Sequence, residues 1–261
     1  MKSQLVNNRI DLKDISIFYK QSGLNSNLTT PILFLHGWGI STEPYQEVLE
    51  LLAQQHSLLA PDLPSFARSS YRKLIPEYDI YAKLLLSFLE ALDIKQVHLV
   101  GHSIGGGIAI TLSTLAPDKV RSMVLVDSTG IPSPSIPEMI PRRAIEMTAQ
   151  ISIPKLKLQL IDIPQVFSHN LLFNTGNVIQ ALLLSLYKDL RHLLPKITVP
   201  CLLLWSEKDL TTPLTAAQEM VVLIPKARLV TVEEGYHEWG LWYPEKFTSL
   251  MLDFIHQVEL E

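Results

Sequence analysis

Residues 101–105, with the sequence GHSIG, place Ser103 between two glycines, where its hydroxyl could act as a nucleophile. The β-leaning run at 97–100 predicts a strand before them, and residues 106–112 predict a helix after them. A serine at such a strand-to-helix turn is held on a strained backbone with its hydroxyl exposed. The glycines are expected because side chains two residues either side of the serine would clash in so tight a turn. We call residues 101–105 the elbow; an ordinary turn serine is the alternative interpretation.

A serine hydroxyl needs a base to remove its proton, and the base needs an acid to orient it. In an open parallel sheet, such groups lie on loops at the carboxyl ends of strands. Asp209 lies four residues past the apolar run at 201–205, and His237 lies beyond the last predicted strand. The chain therefore presents Ser103, Asp209 and His237 in the order serine, acid, histidine, and we expect these side chains to meet.

Two other acids could take the place of Asp209, and two other histidines lie near the predicted site. Asp127 ends the strand that follows the elbow helix, and Glu207 lies two residues before Asp209. His102 adjoins the serine, but neighbouring side chains on a strand point to opposite faces, which favours a structural role. His36 precedes a glycine-containing loop and is expected to bond to the backbone there.

Strand-like and helix-like segments alternate through the first half of the chain and predict a parallel sheet with helices on both faces. Residues 15–19 predict an edge strand that pairs with 9–12 as a hairpin. The predicted strands are 15–19, 31–35, 57–60, 97–100, 120–126, 199–205 and 227–232, and the predicted helices are 43–54, 80–92, 106–112, 213–223 and 244–258.

The alternation is interrupted at 131–194, which begins with several prolines and contains no predicted strand. The helix-forming stretches are 142–150, 155–160 and 178–194. We interpret the segment as a helical cap over the carboxyl edge of the sheet, inserted between the core segments 1–130 and 195–261. Its apolar residues would either pack the cap onto the sheet or contact an apolar part of a substrate. They are Ile131, Ile136, Met139, Ile140, Met147, Phe167, Leu171, Leu172 and Phe173.

The composition excludes several classes of protein. The 261 residues are 47% hydrophobic and 18% charged, which allows a large buried core. The formal charge of −4 argues against nucleic-acid binding, which needs clustered Lys and Arg. No segment has the length of a membrane span or the pattern of a secretion signal, so we expect a cytoplasmic protein. The single Cys201 excludes an internal disulfide and is expected to be a buried thiol.

The sequence indicates no metal and no cofactor. No group of His, Cys and Asp has the spacing of a metal site, and no glycine-rich phosphate-binding motif follows a predicted strand. The remaining histidines carry no motif and are expected to lie at the surface or to be hydrogen-bonded inside. They are His56, His98, His169, His192 and His256.

The chain resembles the capped proteins of the α/β-hydrolase-fold superfamily over nearly its whole length. The resemblance rests on HGWG at 36–39, PDLP at 61–64, GHSIGG at 101–106, Asp209, and GYH at 235–237. It implies a mostly parallel central sheet flanked by helices, with a helical cap inserted after the strand that ends at Asp127. Asp62, in the second motif, is expected to be structural and to hold the proline-rich loop.

The resemblance also implies a role for each site residue. Ser103 would attack a carbonyl carbon, His237 would take and return the proton, and Asp209 would hold the imidazole. The oxyanion would be held by two backbone N–H groups, those of Ile104 and of Trp38. Ile104 also opens a helix, whose dipole favours negative charge at that end.

Several positions depart from the usual pattern of the family. Ser65 and Ala67 stand where glycines are usual, and Ser206 stands where a glycine often precedes the acid. Glu238 and Trp239 follow the histidine, where an apolar residue is more typical. We expect Glu238 to be exposed, although an inward side chain would alter the pKa of the histidine.

The sequence thus predicts a cofactor-independent serine hydrolase that cleaves an ester or related acyl bond of a small, partly apolar substrate. A serine at the elbow argues against dehalogenase or epoxide-hydrolase chemistry, which uses a carboxylate nucleophile in this fold. A carbon–carbon bond hydrolase or lyase, a small-molecule receptor without turnover, and a lipase at a membrane surface are the alternatives. The sequence defines no oligomeric state.

Overall fold

A nine-stranded, mostly parallel sheet forms the centre of the structure, a computed structural model that describes residues 4–23, 30–132, 136–150 and 162–261. The strands are β1 (Val6–Leu12), β2 (Ile15–Ser22), β3 (Ile32–Leu35), β4 (Leu58–Pro61), β5 (Ser70–Tyr71), β6 (Val97–His102), β7 (Val120–Val126), β8 (Cys201–Ser206) and β9 (Ala227–Val232). Their order is β1-β2-β4-β3-β6-β7-β8-β9, with β5 paired to β2. The strands from β4 to β9 along this order are parallel, which confirms the predicted sheet.

The antiparallel end of the sheet differs from the prediction. β2 pairs with β1 on one side and with β4 on the other, so the hairpin is confirmed and the prediction of an edge strand at 15–19 is wrong. The alternation of apolar residues reports which face of a strand is buried, because it follows from the pleat. It does not report how many neighbouring strands are paired to that strand.

Helices cover both faces of the sheet. The described helices are α1 (Gln46–Ala53), α2 (Tyr78–Ala91), α3 (Ile104–Leu115), α4 (Ile136–Gln150), α5 (Asp162–Phe173), α6 (Thr175–Tyr187), α7 (Leu214–Leu223), α8 (Trp239–Trp242) and α9 (Pro244–Leu260). α2, α3 and α7 pack on one face, and α1 and α9 on the other. Within the described ranges, no helix has the length and apolar character needed to span a membrane. Cys201 is buried as expected, and burial raises the pKa of its thiol.

Helices α4, α5 and α6 occupy the part of the chain that was predicted to form a cap. The helix predicted at 142–150 lies within α4, and the one predicted at 155–160 lies outside the described residues. The helix predicted at 178–194 ends at Tyr187, since the chain then turns back to the sheet, where the N–H of Leu190 donates to the carbonyl of Gly130 at 2.8 Å. The division into core and cap stays a prediction.

Two buried asparagines fix these helices to loops at the carboxyl edge of the sheet. Asn170 in α5 accepts a hydrogen bond from the N–H of Ala67 at 2.5 Å and donates to the carbonyl of Gly39 at 3.1 Å. Asn177 in α6 accepts from the N–H of Ile75 at 2.8 Å. Buried backbone groups of the loops thereby obtain partners, which makes the contact of helices and loops specific.

The loop after β4 is strained and is held by a buried carboxylate. Ser65 and Ala67 have φ angles of 66° and 47°, in the left-handed region where glycine is favoured. Asp62, fully buried, accepts hydrogen bonds from Nε of Arg68 at 2.7 Å and from the N–H of Thr42 at 3.0 Å. Burial alone would raise the pKa of Asp62, but the hydrogen bond and charge of Arg68 hold it below its ordinary value. The expected structural role of Asp62 is confirmed.

We predict that Arg68→Ala lowers the free energy of unfolding by about 3–5 kcal/mol, because it leaves the buried Asp62 carboxylate without its cation. The measurement is urea unfolding at neutral pH. The matched control is Arg72→Ala, which removes an exposed arginine of the same loop region and is expected to change stability by at most about 0.5 kcal/mol. Equal unfolding midpoints for the two variants would contradict the prediction.

Candidate active site

The backbone at Ser103 has the strained geometry that the elbow sequence predicts. Its φ and ψ are 54° and −119°, and it lies between the end of β6 and the start of α3. A Cβ atom at Gly101 would lie 2.4 Å from the carbonyl oxygen of Gly105, and one at Gly105 would lie 2.4 Å from that of Leu35. Both glycines are therefore required by close backbone contact, as predicted.

Hydrogen bonds from the neighbouring strand and loop hold this strained residue in place. The N–H of Ser103 donates to the carbonyl of Val126 at 3.0 Å, and the carbonyl of Ser103 accepts from the N–H of Thr129 at 3.1 Å. The hydroxyl of Tyr78 in turn bonds to Oγ1 of Thr129 at 2.9 Å. A backbone in this region costs about 1–3 kcal/mol and persists only where its surroundings fix it.

The side chains of Ser103, His237 and Asp209 form one hydrogen-bonded chain. Nε2 of His237 lies 3.0 Å from Oγ of Ser103, and Nδ1 of His237 lies 2.8 Å from Oδ2 of Asp209. All three residues are buried. Since a carboxylate can only accept, Nδ1 carries the proton, and the lone pair on Nε2 is directed to the serine hydroxyl. The structure thus brings the three predicted residues together, while their catalytic roles stay a prediction.

Asp209 is held by a residue that the sequence analysis missed. Oγ1 of Thr212 donates to Oδ2 of Asp209 at 2.6 Å, and the N–H groups of Thr211 and Thr212 donate to Oδ1 at 2.7 and 2.8 Å. An aspartate whose carboxylate accepts hydrogen bonds from the N–H groups two and three residues later forms an Asx turn. The pair of threonines after Asp209 was therefore a usable signal.

Neither competing acid bonds to the imidazole of His237. Asp127 is fully buried; its Oδ1 accepts from the N–H of Ser206 at 2.9 Å, and its Oδ2 has no partner among the described residues. Burial, and then the nearby Asp209 carboxylate, raises the pKa of Asp127 well above its ordinary value. Glu207 bonds instead to Oγ1 of Thr231 at the surface, at 2.7 Å.

Two carboxylates raise the pKa of His237 against the effect of burial. Burial lowers the pKa of the imidazole, but Asp209 and then Glu238 outweigh it, so the pKa lies above its ordinary value. The expectation that Glu238 is exposed is wrong, because its side chain is only 14% exposed. It pairs with Arg143 of α4, whose Nη1 lies 3.1 Å from Oε2 of Glu238. Arg143 is 95 residues away along the chain, which is why the local sequence gave no sign of the pair.

His102 and His36 have the structural roles that were expected. Nε2–H of His102 donates to the carbonyl of His237 at 2.9 Å, and its Nδ1 accepts from the hydroxyl of Tyr45 at 2.7 Å. The Tyr45 hydroxyl accepts from the N–H of Gly37 at 3.2 Å. Burial, and then the charge of His237, lowers the pKa of His102 to about 4. Nε2 of His36 accepts from backbone of the loop after β4 at 2.8 Å, so it holds two loops together.

The loop after β3 lies against the elbow, where the two predicted oxyanion donors belong. A Cβ atom at Gly37 would lie 3.0 Å from Nδ1 of His102. Ile104 is the first residue of α3, a position whose N–H has no acceptor within the helix. The indole N–H of Trp38 donates to a carbonyl of α6 at 2.8 Å, which fixes that residue beside the helix. An oxyanion-hole role for Ile104 and Trp38 stays a prediction.

The apolar residues of the predicted cap differ in how far they are buried. The ring of Phe167 packs edge-on against Trp38, with centroids 5.4 Å apart, and Ile131 is buried in the core. Leu171, Leu172 and Phe173 are exposed to solvent, which fits neither packing on the sheet nor contact with a substrate. The side chains of Ile136, Met139, Ile140 and Met147 lie outside the described part of the structure.

The fold agrees with comparisons to known proteins. The model of the alpha/beta hydrolase family matches residues 32–250, and the chain belongs to this family. It is 27% identical to the pimeloyl-(acyl-carrier protein) methyl ester esterase of Neisseria meningitidis serogroup C, over 87% of this chain and 94% of the relative.

A second sequence relative and a solved structure also match nearly the whole chain. The 2-hydroxy-6-oxononadienedioate/2-hydroxy-6-oxononatrienedioate hydrolase of Paraburkholderia phymatum is 24% identical over 94% of this chain and 92% of the relative. The crystal structure of the esterase RhEst1 from Rhodococcus superposes with a TM-score of 0.78 at 21% identity, covering 99% of this chain and all of the esterase. The structural match shows that the fold is shared.

We predict that Glu238→Gln moves the acidic limb of the pH profile of kcat/KM to lower pH. The histidine acts as a base only when neutral, and the variant removes one of the charges that raise its pKa. Glu233→Gln, which neutralises an exposed glutamate of the same loop, is the control and should leave the profile unchanged. An unchanged or upward-shifted limb in Glu238→Gln would show that Glu238 does not act on the base.

Proposed function

We propose that this member of the alpha/beta hydrolase family is a serine hydrolase that cleaves an ester or related acyl bond of a small, partly apolar substrate. The observation that carries the proposal is the chain from Asp209 through His237 to Ser103, with separations of 2.8 and 3.0 Å. Its elements are a nucleophile on a strained turn, a base with a free lone pair, and an acid that fixes the tautomer of the base.

In the proposed mechanism, Oγ of Ser103 attacks the carbonyl carbon while Nε2 of His237 takes its proton. The carbonyl π electrons move to oxygen, and the N–H groups of Ile104 and Trp38 stabilise the resulting oxyanion. The imidazolium, stabilised by Asp209, then protonates the leaving alcohol, and an acyl-serine remains. Water, activated by the neutral imidazole, hydrolyses the acyl-serine and restores the free hydroxyl.

Two observations support an acyl substrate that is partly apolar. One relative is named an esterase that acts on a methyl ester of an acyl group. In this chain, the rings of Trp38 and Phe167 pack together where α5 meets the predicted oxyanion loop, so this loop carries apolar side-chain surface. Every proton transfer in the proposed mechanism passes through the imidazole of His237.

Hydrolysis of a carbon–carbon bond is the second candidate. The Paraburkholderia relative is named for a hydroxy-oxo-dienedioate, whose name contains no ester or amide group, so that water must break a bond between carbons. The same serine, histidine and aspartate could serve that reaction or a related lyase reaction. The two candidates are separated by testing esters and ketones of the same carbon skeleton.

We predict that a fluorophosphonate probe labels the protein once, at Ser103, and that p-nitrophenyl esters are turned over. Ser103→Ala should lose both properties while keeping the fold, because no other hydroxyl bonds to Nε2 of His237 among the described residues. The exposed Ser249→Ala is the matched control and should keep both. Full activity of Ser103→Ala on an ester would disprove the assignment. Labelling without turnover of any ester would favour the carbon–carbon candidate.

We further predict that Asp209→Asn lowers kcat by about 10⁴-fold, since an amide no longer fixes the correct imidazole tautomer. Asp127→Asn should retain kcat within about tenfold of the parent, because Asp127 does not bond to the imidazole and an amide can still accept from the N–H of Ser206. Steady-state kinetics on one ester measures both. The opposite ranking would transfer the role of the acid to Asp127.

A further inference from the structure

A second cluster of titratable side chains lies at the amino ends of the parallel strands, away from Ser103. It contains His56, in the turn after α1; His98, near the start of β6; and Glu259, near the end of α9. Their ligand atoms all lie within 4.8 Å of one another. His98 precedes His102 by four residues, about 13 Å along an extended strand, so the cluster is separate from the active site.

Hydrogen bonds orient both imidazoles of the cluster in the same way. Nδ1 of His98 lies 2.7 Å from Oγ of Ser122, and Nδ1 of His56 lies 3.4 Å from the carbonyl of Ser57. The Nε2 atoms of both rings therefore face Glu259, whose Oε1 lies 3.2 Å from His56 and 3.6 Å from His98. A carbonyl or hydroxyl oxygen that accepts from Nδ1–H leaves the Nε2 lone pair free, and partners of this kind are typical of histidines that bind metals.

One of these nitrogen atoms has no hydrogen-bond partner within the described part of the chain. His98 is fully buried, and its Nε2 makes no hydrogen bond to any described residue. When Nδ1 of His98 carries the proton and donates to Oγ of Ser122, the lone pair on Nε2 is free to bind an ion. A buried polar atom without a hydrogen-bond partner is costly. A hydrogen bond between His56 and Glu259 would leave Nε2 of His98 without a partner.

We propose that His56, His98 and Glu259 bind a divalent transition-metal ion, with Zn²⁺ preferred, through two Nε2 atoms and one carboxylate oxygen. Tetrahedral zinc with bonds of about 2.0–2.2 Å places its ligands about 3.3 Å apart, and the two separations from Oε1 are 3.2 and 3.6 Å. Two imidazoles and a carboxylate form a donor set suited to zinc, with the fourth position left for water. The Glu259 side chain is 26% exposed, which gives an ion a path from solvent.

The charge near the site is mixed. The positive charge of Arg121 interacts electrostatically with His98, and its guanidinium donates to the carbonyl of Val258 at 3.2 Å. This charge repels a bound cation and limits the affinity of the site for the metal ion. The Glu259 carboxylate provides the balancing negative charge. The sequence predicted no metal site because its three ligands lie far apart along the chain. For the same reason the site exists only in the folded protein, and binding should stabilise the fold.

The test uses the full chain without an affinity tag, after removal of metals with a chelator. Zn²⁺ is titrated in competition with a chromogenic chelator, and Co²⁺ is added separately as a spectroscopic probe of geometry. We expect one equivalent of Zn²⁺, the visible absorption of four-coordinate Co²⁺, and a rise in Tm on adding Zn²⁺. Glu259→Gln and His98→Gln should each weaken Zn²⁺ binding at least about tenfold. Glu261→Gln, two residues further along the same terminus, should bind as the parent does.

Several results would overturn the proposal. These are the absence of stoichiometric Zn²⁺ binding, or binding that is unchanged in a folded Glu259→Gln variant, which would place the ion elsewhere. Glu259→Gln is the safer variant, since its side chain is partly exposed and an amide keeps its size, whereas His98 lies in the core. Ser103→Ala is expected to bind Zn²⁺ like the parent, so the outcome is independent of the proposed hydrolase reaction.

Discussion

The arrangement of the proposed site depends on close backbone packing at two glycines, where β6 turns directly into α3. A Cβ atom at Gly101 or Gly105 would lie 2.4 Å from a carbonyl oxygen, so only hydrogen fits at either position. This packing allows the helix to begin at Ile104 without an intervening loop, and it directs the side chain of Ser103 out of the sheet. The positions of Cα and Cβ of Ser103 are therefore set by packed backbone, and the hydroxyl has only the χ1 rotation left to adjust.

Most of the fold could be predicted from the sequence, because its signals are local. The strands at 120–126 and 227–232 have the predicted bounds, since each is a short apolar run between polar segments. The glycines of the elbow were predictable from the turn that they permit. The helix predicted at 178–194 was too long, because its end at Tyr187 is decided by a return of the chain to the sheet. The order of strands at the antiparallel end was likewise not encoded in any single segment.

The parts of the site that could not be predicted are pairs between distant polar residues. Glu238 is drawn inward by Arg143, and His98 faces Glu259, yet no local pattern marks either pair. The choice of Asp209 over Asp127 as the partner of the histidine also needed coordinates. Both acids follow strands at the same edge of the sheet, and only the loop geometry decides which of them reaches the imidazole.

The contact between Arg143 and Glu238 links the position of α4 to the pKa of His237. Arg143 belongs to α4, and its positive charge lowers the pKa of His237. Without the charge of Arg143, the pKa of His237 would lie higher still, because Glu238 raises it. A protonated imidazole cannot accept the proton of the serine. A contact made from α4, 95 residues away along the chain, therefore helps to keep the proposed base in its neutral form.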